Sequence, residues 1–155
     1  QTASPVSEGL GVEAIVDSRL AEFDLGAGSL EQRLGPLEQR PDLFIWRPDD
    51  KASDNGETLR EFSARVHAFC DWVGERHLRE CVVVVAHSGT IDAILRWSLG
   101  HTPGAPWQHE FDIGNDSITE VEFWPRGQVA GGAPHFAVLR RIGDVSHLGE
   151  LASEL

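Results

Sequence analysis

The segment Cys81-Val82-Val83-Val84-Val85-Ala86-His87-Ser88-Gly89-Thr90-Ile91-Asp92-Ala93-Ile94-Leu95-Arg96 decides how the chain is read. Val82 to Ala86 lack the polar alternation of a half-solvated strand, so they predict a strand covered on both faces in a parallel sheet. At His87-Ser88-Gly89 the pattern changes to helical spacing, and a helix is expected over 89–99, ended by Gly100. A tight strand-to-helix turn lies at the carboxyl edge of a parallel sheet, where α/β folds bind ligands. The helix would aim unpaired N–H groups and its positive dipole end at that point, which favours an anion. From this stretch alone, His87 is as readily a hydrogen-bonded strand edge as an anion ligand.

Working outward, Leu59, Phe62, Val66, Phe69 and Val73 form an apolar stripe at helical period, and a helix is expected over 57–77, capped by Asp54 or Asn55. Val12 to Val16 reads as a short strand, after a short polar helix start. Arg19 to Phe23 then runs into a glycine bend at Gly26 and Gly28. Residues 29–55 are loop-rich, with Pro36, Pro41 and Pro48; Phe44 and Trp46 read as anchors of this loop, or as parts of a lid. Downstream, residues 116–123 alternate as a strand. A glycine-rich turn at 127–132 leads to a partner strand, Phe136 to Ile142. The class is α/β.

A chain of 155 residues is one domain's worth, large enough to bury a core. Its formal charge of −12, with no basic run, argues against nucleic acid or an anionic membrane as partner. A small anionic substrate stays compatible with a locally positive pocket. Cys70 and Cys81 show no zinc or redox spacing and read as buried free thiols. His67, His77, His101, His109 and His135 show no metal-site spacing. No apolar stretch reaches membrane-spanning length and no signal peptide is visible, so the cytoplasm is the expected compartment. The sequence contains no methionine, and its native start is expected to lie elsewhere.

A serine nucleophile is the competing chemistry. Ala86-His87-Ser88-Gly89-Thr90 looks like a degraded nucleophile elbow, with Asp112, Asp116, Asp144, His135 and His147 available as partners. The glycines such an elbow wants are missing at 86 and 90. A loop and a hairpin follow residue 100, where further strand–helix units would have to hold the other triad members.

Six segments in the same order resemble the histidine phosphatase superfamily, which includes the cofactor-dependent phosphoglycerate mutases. Gln1-Thr2-Ala3 resembles the tail of that family's Ser-Pro-x-x-Arg-Ala-x-Gln-Thr-Ala segment, and Arg19 to Gly26 its acid motif, Leu-x-Glu-x-x-x-Gly. Gly56-Glu57-Thr58, with Arg65 and Val66 later, resembles its Gly-Glu-Ser helix start. Val83 to Gly89 resembles its second-histidine motif. Asn115-Asp116-Ser117-Ile118 and Gly143-Asp144-Val145-Ser146-His147-Leu148 match two later signatures.

The resemblance implies a three-layer α/β/α domain with a mostly parallel central sheet. It implies metal-independent phosphomonoester hydrolysis through a phosphohistidine, with no cofactor and a small phosphorylated substrate. His87 would be the second active-site histidine, contacting phosphoryl oxygens, and Glu22 the acid/base that protonates the leaving group. The backbone N–H of Ser88 would add a substrate-binding donor. On spacing alone, Glu22 is a surface carboxylate, Glu57 a first-turn residue favoured by the helix dipole, Arg65 a partner for a loop carboxylate, and His147 a packing residue.

The family's nucleophile lies in an Arg-His-Gly motif at the end of its first strand, and this chain contains no Arg-His-Gly. A second phosphate-gripping arginine precedes the Gln-Thr-Ala tail. The expectation is therefore one domain over residues 1–155, N-terminally incomplete and inactive alone, with the first strand supplied to the folded object as a further segment. Gly26-Ala27-Gly28-Ser29-Leu30 stands where the family often has Gly-x-Trp-Glu-Gly, which tilts the reading from mutase to phosphatase. A non-catalytic phosphate-binding relative is the second reading and a serine hydrolase using Ser88 the third; a homodimer stays open.

Overall fold

The computed structural model describes residues 2–26, 48–51, 53–106, 111–125 and 135–149. In chain order they form α1 (Ala3–Leu10), a 3-10 turn (Ser18–Leu20), α2 (Leu59–Arg76), α3 (Ser88–Ser98), β1 (Ile118–Pro125) and β2 (His135–Asp144). The 33–47 part of the loop, with Phe44 and Trp46, and the turn at 127–132 lie outside the described residues.

The core is built on α2. All five residues of its apolar stripe are buried, and with Cys70, Ala93 and Trp97 they form one cluster, against which Leu20, Phe23, Val84, Ile94 and Phe123 pack. Phe62 is fully buried, its ring 5.3 Å from that of Phe23. A side chain of that size, fully covered, stabilises the fold by about 1.5–3 kcal/mol, and here it ties α2 to the loop after the 3-10 turn.

The helix starts later than the pattern predicts. Thr58 is the N-cap, its side chain accepting from the Glu61 N–H (3.1 Å), while the Glu61 carboxylate accepts from the Thr58 N–H (2.8 Å). This reciprocal box satisfies two of the helix's unpaired donors, so neither Asp54 nor Asn55 is needed as cap. Glu57 consequently lies ahead of the helix, and the first-turn role expected for it gives way to an ion pair with Arg65 at 2.6 Å.

The predicted hairpin forms. β1 and β2 pair antiparallel, from Ile118 opposite Asp144 to Pro125 opposite His135, with register shifts around Glu120. The two-stranded ladder they make is the sheet present among the described residues. The parallel sheet is not formed among them. Val12–Val16 and Val82–Ala86 are in no strand, and Ile15 and Val16 are 88% and 97% exposed. Val82, Val83 and Val85 are exposed as well. A strand needs a neighbour to satisfy its N–H and C=O groups, and no described segment lies alongside either stretch to supply one.

Cysteine burial divides. Cys70 is buried in the core, where desolvation pushes its thiol up to about 12, whereas Cys81, expected buried, is exposed at the head of the unpaired valine run.

Candidate active site

The helix expected after His87 is present as α3. His87 is its N-cap, extended at φ −80° and ψ 164°, and its carbonyl accepts the first helical bond from the Ile91 N–H (3.0 Å). The imidazole takes no part in capping and is exposed. Ser88 opens the first turn, also exposed. His87 and Ser88 thus stand exposed at the helix entrance.

Glu22 reaches this entrance from the loop after the 3-10 turn, 68 residues from Thr90 in sequence. Its Oε1 accepts from the Phe23 N–H (2.8 Å) and its Oε2 from the Thr90 N–H (3.3 Å). A β-carbon at Gly89 would run into Oε1 and stand 3.1 Å from the carboxyl carbon, so the glycine leaves the space that the carboxylate fills. A negative charge against a helix N-terminus is favourable. Thr90 is fully buried, and its hydroxyl donates to the carbonyls of Leu20 (3.4 Å) and Ala21 (3.2 Å), tying α3 to the same loop.

That loop is held from α2 as well. Arg65 donates to the carbonyls of Arg19 (2.8 Å), Ala21 (2.6 Å) and Glu22 (3.0 Å), and to both oxygens of Glu57 (2.6 and 3.0 Å). Glu57 accepts the Asp24 N–H at 2.8 Å, and its own N–H donates to the Asp24 carbonyl at 2.9 Å. The two backbones approach closely at Gly56, where a β-carbon would meet the Asp24 carbonyl oxygen at 2.9 Å. Spacing alone left Arg65, Glu57 and Thr90 out of the site. The Gly-Glu-Thr start with an arginine eight residues on is the signal that marks Glu57 and Arg65; it does not extend to Thr90.

Beside this cluster, Arg19 is paired with Asp17 through Nη2 at 2.5 Å, which holds the Asp17 carboxyl below the usual carboxylate range, and its guanidinium lies over Phe69 (5.4 Å) and Trp72 (5.0 Å). Arg19 braces the 3-10 turn onto α2.

The structure brings Glu22 and the His87-Ser88-Gly89-Thr90 turn together. Two of the serine-hydrolase partners, His135 and Asp144, are engaged elsewhere. His135 stacks on Trp97 at 4.1 Å, with Nε2 3.3 Å from the Ser98 carbonyl, at the opposite end of α3. Ten residues of helix separate that end from Ser88, about 15 Å. Asp144 accepts from the Ser146 N–H at 2.9 Å and lies 3.6 Å from Arg141, and His147 is exposed rather than packed. Among the described residues, no group of three or more His, Cys, Asp or Glu is arranged to hold a metal ion. No helix among them is long and apolar enough to cross a membrane.

The family model of the histidine phosphatase superfamily (branch 1) matches residues 1–131. A Hydrogenobacter thermophilus protein provisionally named phosphoserine phosphatase 2 is 32% identical over 124 residues, covering 78% of this chain and 60% of its own length. Phosphoserine phosphatase 1 of the same organism is 29% identical over 158 residues, covering 99% of this chain and 69% of its own. A Cronobacter sakazakii protein provisionally named phosphoglycerate mutase GpmB is 29% identical, covering 96% and 67%. The chain therefore spans roughly two thirds of these relatives, and 60% of the first. The solved structure of Bacillus stearothermophilus YhfR shares the fold with a TM-score of 0.68 at 23% identity, covering 95% of this chain and 69% of that one. Collinear motifs, a family match over most of the chain and a shared fold agree: the chain belongs to the histidine phosphatase superfamily.

Proposed function

We propose that the protein is a metal-independent phosphomonoesterase acting through a phosphohistidine, whose site on this chain is Glu22 with the His87–Thr90 turn. The observation that carries the reading is the Glu22 carboxylate standing at the entrance of α3, within three residues of His87 along the chain. In that place it protonates the departing oxygen, while His87 and the N–H groups of Ser88 and its neighbours stabilise charge on the phosphoryl oxygens. The nucleophilic histidine belongs to an Arg-His-Gly segment outside these 155 residues. The strand bearing it pairs along Val82–Ala86, which is unladdered in this chain, with Val82, Val83 and Val85 exposed. Relatives are named for both hydrolysis and transfer, and the missing Trp-Glu-Gly after Gly26 tilts the reading to hydrolysis.

The test is hydrolysis of an aryl phosphate by the full gene product in the presence of a chelator. Turnover should persist with the chelator, fall by at least a hundredfold in H87A, and survive in S88A. Phosphate binding without turnover would instead make the protein a phosphate-binding module, and loss of turnover in S88A would restore the serine hydrolase.

A further inference from the structure

The carboxylate of Glu22 is useful at α3 only if its backbone is held, and the segment carrying it belongs to no helix or strand beyond the short 3-10 turn. Four successive carbonyls, Arg19 to Glu22, are instead tied to side chains from two helices, Arg65 of α2 and Thr90 of α3. Arg65 makes five hydrogen bonds, as many as a guanidinium has N–H groups. Two of them go to Glu57, and the group stacks over Phe62 at 4.8 Å, so its plane is fixed by the core. An ion pair alone would need only Glu57. Three further bonds, to the carbonyls of Arg19, Ala21 and Glu22 itself, set the direction in which that side chain leaves the loop.

We infer that Arg65, oriented by Glu57, is a positioning residue: it fixes backbone 19–22 so that the Glu22 carboxylate meets Gly89 and Thr90. The role rests on the reading of Glu22 as proton donor, though the clamp itself can be read without it. Lysine keeps the charge but concentrates its donors at one point, so it cannot span a carboxylate and three carbonyls.

The experiment compares R65K, E22Q and the double variant in the full gene product, with turnover and amide hydrogen exchange as readouts. R65K should lower kcat by about tenfold or more with KM within about threefold. It should also speed exchange of the Phe23 and Thr90 amides while leaving that of Leu95 unchanged. The double variant should be no slower than E22Q, because a residue acting only through Glu22 has nothing left to position. If R65K cuts turnover by the same factor in the E22Q background, Arg65 serves the whole fold and the inference is overturned. Unchanged exchange at Phe23 and Thr90 overturns it too. Should R65K fail to fold, E57Q, which keeps the arginine, should give the same pattern more weakly, and its absence counts against the clamp. If E22Q leaves turnover intact, the proton-donor reading falls, while the exchange result still decides the clamp.

Discussion

Replacing Gly89 by alanine separates the position of the Glu22 carboxylate from the stability of the fold. The new β-carbon would occupy the place of Oε1, and the carboxylate is the far end of a flexible side chain, so it can swing away. The loss is the Thr90 N–H bond together with the Phe23 N–H bond to Oε1. Charge-assisted hydrogen bonds contribute about 1.5–3 kcal/mol. Both are partly solvated and the Thr90 bond is long at 3.3 Å, so together they contribute about 2–3 kcal/mol. Against it, alanine in place of glycine in a helix gains up to about 1 kcal/mol, and less in the first turn. The gain offsets part of the loss, so G89A should unfold within about 2 kcal/mol of wild type by denaturant titration. Turnover should behave differently. Withdrawing a general acid costs about 10²–10⁴ in rate, and kcat of the full gene product on an alkyl phosphate should fall into that range, close to E22Q. A kcat within twofold of wild type would refute the placement of the proton donor. So would a stability loss above about 3 kcal/mol, because the carboxylate would then be wedged rather than movable.

Three further outcomes follow from the packing. His67 is buried and faces Asp71, His101 and His135, and desolvation pushes its imidazole down to about 4. Below pH about 6.5 the unfolded chain takes up a proton that the folded chain refuses, so stability is full above that pH and falls as pH drops toward 4. The loss is about 2–3 kcal/mol after allowance for solvent screening, and H67Q should flatten that slope in urea titrations at pH 7 and pH 5. Asp92 and Arg96 form a buried i,i+4 ion pair on α3. D92A should therefore cost up to about 3–5 kcal/mol by removing the carboxylate that faces the buried guanidinium, whereas D92L/R96M should cost far less, and equal losses would show that burial of the charge is not the cause. T58A removes the α2 cap and should lower stability by about 1 kcal/mol; no change would mean that water satisfies the Glu61 N–H equally well.

How much of this was legible in the sequence depended on how local each signal is. The α2 stripe was, because five apolar residues at helical period have one way to be buried together, and all five are. Its start was also written locally, in Thr58-Leu59-Arg60-Glu61, a capping box passed over in favour of the nearby Asp and Asn. The α3 entrance and the hairpin were read correctly for the same reason. Val82–Ala86 shows the limit: an apolar run specifies a buried strand only when a neighbour completes the ladder, and no composition of the run itself provides one. Glu22 is the opposite case. Nothing in its spacing distinguishes it from a surface carboxylate; its place at α3 comes from bonds made by Arg65 and Thr90, 43 and 68 residues away. Motif order pointed to it where physical pattern could not.

The central claim, phosphoryl transfer through a histidine, is tested most directly by trapping the phosphoprotein. The full gene product would be quenched in alkali during turnover of an aryl phosphate, and the phosphorylated peptide mapped by mass spectrometry. The account predicts an alkali-stable, acid-labile phosphate on a histidine that is none of the seven in this sequence. Phosphate on His87 or Ser88, or turnover with no phosphoprotein at all, would contradict it.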